Sequence, residues 1–189
     1  ERGPRLPFES LSRVDTVDAV KLKMLREAGC IRVWYGAESR SPRMLEHMKL
    51  GFKVDDIREA ARLTREAGLQ SGFFIIIGHP EEKVVDLDLT RELLAETRPD
   101  FCGITVMYPF SNTPFWEEVR GRMHRGTGNP AGENDNRIRF RSRYSGAFYE
   151  VARRLISKEF EVARGRNVSA LDRLKLRAYR PLYRVMGRG

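Results

Sequence analysis

Four short stretches of this chain put charged or ring-bearing residues where an apolar run ends. They are Arg13-Val14-Asp15, Gly36-Ala37-Glu38-Ser39, Gly78-His79-Pro80-Glu81-Glu82 and Tyr108-Pro109. A carboxylate at such a place, above all Glu38, can grip a cation through a charge-assisted hydrogen bond, act as an acid or base, or favour the start of a following helix. Arg13 offers a planar fork suited to a carboxylate, and Asp15 or Glu38 could equally satisfy it within the chain. His79 has the chemistry of a proton carrier or ligand, although a turn histidine packed beside Pro80 is the plainer reading. Cys30 and Cys102 are too few for a four-cysteine zinc site or a three-cysteine cluster site. Their apolar neighbours predict buried thiols in a reducing compartment.

The elements that must hold these residues follow from periodicity. Three near-continuous apolar runs, 31–36, 71–78 and 101–108, predict parallel strands covered by helices on at least one face. A weaker strand is predicted over 7–14. The phrase Arg-Glu-Ala-Gly occurs at 26–29 and again at 65–68, each time closing a helical pattern before a strand. The first helix is expected from about Thr16, capped by Asp15 or Thr16, with Val17, Val20, Met24, Leu25 and Ala28 inward. The second presents Ile57, Ala60, Ala61, Thr64 and Ala67, with Asp55 and Asp56 in its first turn. The third spans about 84–97 with Leu89, Leu93 and Leu94 inward. A short helix is expected from Thr113. Trp34, Tyr35, Phe73 and Phe74 should alternate between the two faces of their strands as core residues. Strand-helix alternation of this kind gives an open parallel sheet or a barrel, and both gather their sites at the C-terminal ends of the strands.

Composition narrows the class. The chain has 189 residues, 41% of them hydrophobic, which is the make-up of a globular domain or a large piece of one. No apolar run approaches a membrane span and no signal-peptide pattern opens the chain. The net charge of +9 is uneven. Residues 137–189 carry fifteen Lys/Arg against four Asp/Glu, whereas 1–136 carry twenty against twenty-two. The basic tail is expected to return to helix over 137–160, with Phe148, Val151, Ala152, Leu155 and Ile156 as its apolar face. A last helix should run from Ser169 to about Tyr179, stopping before Pro181. Such a tail can be a solvated face, a contact to an anionic membrane surface, or an RNA-binding surface.

The strand-exit stretches resemble the second half of a radical SAM barrel, and in particular the cobalamin-binding branch that includes cyclases and methylases related to the anaerobic magnesium-protoporphyrin monomethyl ester cyclase. Four landmarks carry the resemblance in order. Leu11-Ser-Arg-Val-Asp15 precedes a helix that ends in Ala-Gly-Cys. Trp34-Tyr-Gly-Ala-Glu-Ser39 is similar to the GxES motif. Phe73 to Glu82 is similar to the fifth-strand run with its Gly, Pro and acid. Arg98 to Val119 resembles the sixth strand with its Thr-Pro turn. The resemblance covers about residues 7–120. Arg40, Glu81 and Ser111-Asn112 stand where that family usually has glycine or Pro-Gly. Of these, Asn112 takes the left-handed region most readily.

The resemblance implies an α/β fold, a partial TIM-like barrel of about four strand-helix units with an unclosed sheet whose first strand is an edge, followed by a basic helical extension. It implies boundaries at 1–122 for the barrel part, 123–136 for a linker and 137–189 for the extension. It implies S-adenosylmethionine as cofactor, with the α-ammonium on Glu38, the methionyl carboxylate on Arg13, Gly36, Ala37 and Ser39 in the same turn, Ile77 and Gly78 near the adenine, and Tyr108 and Pro109 at the pocket mouth. A [4Fe–4S] cluster and cobalamin would be held by a missing N-terminal part of the same protein, where a CxxxCxxC loop is expected. The chain reads as a C-terminal fragment, inactive alone and without iron–sulfur absorbance. It would act on a small-molecule substrate in the cytoplasm, with the tail reaching the inner face of the membrane. The alternatives are a basic RNA- or membrane-surface module, and another parallel α/β barrel enzyme using strand-end carboxylates.

Overall fold

The computed structural model describes residues 6–124, 138–165 and 169–188. Its elements in chain order are β1 (Phe8–Ser12), α1 (Ala19–Ala28), β2 (Cys30–Glu38), α2 (Pro42–His47), α3 (Val54–Glu66), β3 (Gln70–Ile77), α4 (Val84–Thr97), β4 (Phe101–Val106), α5 (Pro114–Val119), α6 (Gly146–Ala163) and α7 (Ala170–Met186), with a 3₁₀ turn at Arg120–Arg122 after α5. The strands form one parallel sheet in the order β1-β2-β3-β4. Among the described residues the sheet is unclosed and β1 is an edge, as the resemblance implies.

The chain divides into two compact units. One runs up to Ile75 and includes Asp88–Gly103; the other holds Ile76–Leu87 and everything from Ile104 on. In the first unit, odd-numbered residues of β2 and β3 face the helices. Val33, Tyr35, Ala37, Phe73 and Ile75 are all buried. The Tyr35 hydroxyl pairs with Thr64 Oγ1 at 2.7 Å, and Thr64 donates to the Ala60 carbonyl, so both of these buried hydroxyls are satisfied. Even-numbered residues line the other face. There Trp34 stacks on Phe74 with centroids 4.8 Å apart, and its indole N–H donates to Glu9. Arg32 lies 3.6 Å over the Phe101 ring and donates to Gln70 and Glu9.

Gly29 and Gly68 close the two repeated helices in the left-handed conformation, at φ 105° and 70°. On α3 the expected Ile57, Ala60, Ala61 and Thr64 are buried, whereas Ala67 falls outside the helix as its half-buried C-cap. The inward face of α1 is not as expected. Asp18, rather than Asp15 or Thr16, is the cap, accepting from Lys21 N at 2.8 Å. Leu22 is the buried residue, while Val20 and Met24 are 68% and 62% exposed. The reason is position: α1 follows the edge strand and packs chiefly on β2 and α3, leaving its other apolar side in water.

In the second unit, the helical return comes later than 137. Ile138 and Phe140 are buried, and Phe140 forms an antiparallel bridge with Met123. Helix begins only after Ser145, whose hydroxyl accepts from Phe148 N. Of the linker expected over 123–136, only Met123 and His124 lie among the described residues. α7 does not stop before Pro181 but runs through it to Met186. A mid-helix proline removes one hydrogen bond and costs about 3 kcal/mol. The far turn is held by Tyr183, which is buried, stacks on Phe148 at 5.4 Å and donates its hydroxyl to the Val84 carbonyl. Among the described residues no helix is long and apolar enough to cross a membrane.

Candidate functional site at the strand exits

Glu38 is the last residue of β2, and the strand is irregular where it sits. The register with β3 shifts between Gly36 and Glu38. Glu38 itself adopts φ 57°, a left-handed conformation that a side chain other than glycine or asparagine seldom takes. The Ser39 N–H turns back onto the Ala37 carbonyl at 2.7 Å. This bulge folds the Glu38 side chain back over Gly36. A Cβ on Gly36 would come 2.6 Å from Glu38 Oε1, so only glycine admits the pose.

The turn that follows is fixed from behind. Ser39 Oγ shares a hydrogen bond with Thr90 Oγ1 on α4 at 3.1 Å and accepts from Ser41 N. The Arg40 N–H donates to Thr90 Oγ1, and its guanidinium meets Glu92 at 2.7 Å. Ser41, not Glu38, caps α2. Arg40 therefore occupies a position that needs no left-handed backbone, and neither does Glu81, whereas Asn112 takes φ 63°.

With capping assigned to Ser41, the Glu38 carboxylate has no hydrogen-bond partner among the described residues. Its Oε2 is buried and accepts no hydrogen bond. Burial pushes its carboxyl up to about 7, because removal from water penalises the charged form. A buried carboxylate left in this state is an acceptor prepared for a cationic donor, or an acid poised near neutrality.

Arg13 does not approach this carboxylate. Its Nε and Nη2 bind Asp15 at 3.0 and 2.8 Å, Nη2 also donates to the Leu50 carbonyl, and the guanidinium lies 5.7 Å from the Phe52 ring. The Asp15 hydrogen bond raises the arginine pKa and lowers that of the acid.

The other exits belong to the second unit. Gly78 has φ 98°, and a Cβ there would meet Val106 Cγ1 at 3.2 Å. Its N–H donates to Glu82 Oε2 at 2.7 Å, its carbonyl accepts from Ser142, and the Ile77 carbonyl accepts from Met107 N. The polar backbone of the Ile77-Gly78 platform is thus committed to the fold, which leaves apolar contact as what it offers a ligand. His79 is buried, accepts from Glu81 N at 3.2 Å and lies 6.0 Å from the Phe115 ring. Tyr108 packs edge-on against Phe110, and Pro109 is buried. Among the thiols Cys30 is buried and Cys102 is partly so, its pKa pushed up to about 12 by desolvation. No group of three or more His, Cys, Asp or Glu among the described residues could hold a metal ion.

Glu82 stands in one of the charged strand-exit stretches and turns out to position the Gly78 backbone. Two further positioning residues, Thr90 and Ser142, stand in none of them. No sequence signal marks these two, since each is linked to its partner only by folding.

No protein-family profile matches the chain. Among curated proteins it is similar to an uncharacterized methyltransferase of Pyrococcus horikoshii, 29% identical over 117 residues, covering 62% of this chain and 26% of that protein. It is also similar to the anaerobic magnesium-protoporphyrin IX monomethyl ester cyclase of Cereibacter sphaeroides, 27% identical over 106 residues, covering 56% of this chain and 17% of the cyclase. The chain thus spans about a quarter or less of these relatives. Among solved structures it matches the cobalamin-dependent S-adenosylmethionine radical enzyme OxsB, with TM-score 0.64, 16% identity and coverage of 97% of this chain and 34% of that one. The partial-barrel fold is shared with the enzyme class that the strand-exit motifs resemble.

Proposed function

We propose that this chain forms part of the S-adenosylmethionine-binding wall of a radical SAM enzyme of the methyl-transferring or cyclising kind, with Glu38 as the acceptor for the cofactor's α-ammonium. The observation that carries the reading is the buried, unpartnered Oε2 of Glu38 at a left-handed strand exit. An ammonium donor satisfies both the orphan acceptor and its charge. Bound S-adenosylmethionine supplies the adenosyl or methyl group. The residues of this chain hold and orient it: Gly36 and Ala37 set the bulge, Ser39 fixes the turn through Thr90, and Arg13, whose Nη1 makes no hydrogen bond among the described residues, offers that one amino group to the carboxylate. By the same resemblance Ile77, Gly78, Tyr108 and Pro109 are proposed as contacts of the adenosyl group. In this reading 1–122 is the barrel part, 123–136 a connector and 137–189 an extension. The described residues do not fit a [4Fe–4S] cluster, and no step through one is assigned to them; cluster and cobalamin belong to other parts of the protein.

Equilibrium dialysis of the chain against labelled S-adenosylmethionine and methylthioadenosine tests the reading. Glu38→Gln should weaken the first at least tenfold and leave the second, which has no ammonium, unchanged. Equal loss of both, or of neither, overturns the role of Glu38.

A second reading, contact with an anionic membrane surface, is favoured by α7. Leu171, Leu174, Leu182 and Val185 form an exposed apolar stripe, Arg173, Arg177 and Arg184 follow beside it, and Leu176 and Tyr183 are buried on a third side. A basic face next to an exposed apolar one is the pattern of helices that lie in the membrane interface.

A further inference from the structure

Close to the exit of β3, in the second unit, lies a polar cleft of about 490 Å³ lined by Pro80, Arg122, Arg141, Ser142 and Arg143. The backbone arranges the arginines. Residues 122–124 and 139–141 run antiparallel, joined by Arg141 N to the Arg122 carbonyl at 2.8 Å, His124 N to the Arg139 carbonyl at 2.9 Å, and the Met123–Phe140 bridge. Ile138 and Phe140 point inward and are buried, so by strand alternation Arg141 points out. Ser142 then pins the segment to the strand exit. Its hydroxyl lies within hydrogen-bonding distance of the Gly78 carbonyl (3.3 Å), the His79 carbonyl (3.4 Å) and the Tyr149 hydroxyl (3.2 Å).

No carboxylate lines the cleft, and Arg122, Arg141 and Arg143 make no ion pair among the described residues. This is unlike much of the chain, where Arg40, Arg58, Arg62, Arg91, Arg153 and Arg154 all have acidic partners. Three guanidiniums without an ion pair among the described residues, at one concavity, repel each other and raise the local concentration of anions. Their planar forks match the paired oxygens of a phosphate or carboxylate. The cleft is open to solvent, and its volume lies within the range of small-molecule sites.

The geometry points to an oxyanion site: Arg122, Arg141 and Arg143 bind the phosphate or carboxylate group of a small anionic molecule at the exit of β3. The site stands independently of the Glu38 reading. Calorimetry of the chain with inorganic phosphate, pyrophosphate and citrate tests it. One saturable site is expected, and preference among the three probes tells phosphate from carboxylate. Arg141→Gln/Arg143→Gln should weaken binding at least tenfold. Arg141→Lys/Arg143→Lys, which keeps the charge but loses the forks, should fall between. Arg173→Gln/Arg177→Gln on α7 should bind as the parent does. Circular dichroism establishes that each variant is folded. Equal binding by parent and the Gln double variant overturns the site. So does equal weakening by the α7 variant, which would mean charge alone, and so does binding of a short RNA without binding of any of the three probes.

Discussion

The Glu38 carboxylate lies so close to Gly36 that a Cβ there would sit 2.6 Å from its Oε1. Two residues of one strand thus fix each other: the glycine leaves the space and the bulge turns the acid into it.

Gly36→Ala should displace the carboxylate at little cost in stability, under about 1 kcal/mol, because the colliding atom is the end of a flexible side chain. S-adenosylmethionine binding should nevertheless fall about tenfold or more. Gly72→Ala is the contrast. Its Cβ would meet the Trp34 ring at 2.3 Å, and that ring is held by its stack on Phe74 and its bond to Glu9. A loss of about 2–3 kcal/mol is expected in urea unfolding. If the two substitutions cost the same, the packing described around one of them is wrong.

Stability should carry a pH signature from Glu38. An acid raised to about 7 from 4.5 is harder to ionise folded than unfolded. The penalty is absent below about pH 4.5, grows as pH rises to about 7 and is constant above, reaching about 3 kcal/mol. Glu38→Gln should therefore match the parent near pH 4 and exceed it by up to that amount at pH 8. Parallel stability–pH curves for the two proteins would count against the burial described.

Pro181→Ala should stabilise α7. It restores a donor for the Arg177 carbonyl within a helix already formed on both sides of the proline. A gain of about 1–2 kcal/mol is expected after allowing for the greater freedom of the unfolded chain. A loss would mean that the proline ring packs in a way its neighbours require.

Retention on vesicles containing anionic phosphatidylserine should need both faces of α7. Leu174→Asp/Leu182→Asp, on exposed positions, should abolish it without unfolding the protein. Arg173→Gln/Arg177→Gln should weaken it several-fold and flatten its salt dependence. Retention that survives both variants would place the contact elsewhere.

Much of the architecture was legible because short-range rules dictate it. Apolar runs with Gly29 and Gly68 after helical repeats give strand-helix units, and the carboxylate at residue 38 ends one such run whatever the rest of the chain does. Asn112 was likewise readable as a left-handed turn. Tertiary structure decided the rest. Whether Val20 or Leu22 faces the core depends on α1 having a neighbour on one side only. Pro181 is tolerated because Tyr183 is buried against Phe148. Above all, residue type placed Glu38 at a strand exit with capping as a live alternative. Only the fold gave the cap to Ser41, tied Arg13 to Asp15, and left the Glu38 oxygen buried without a partner, because those outcomes depend on contacts between residues distant in sequence as well as on local geometry.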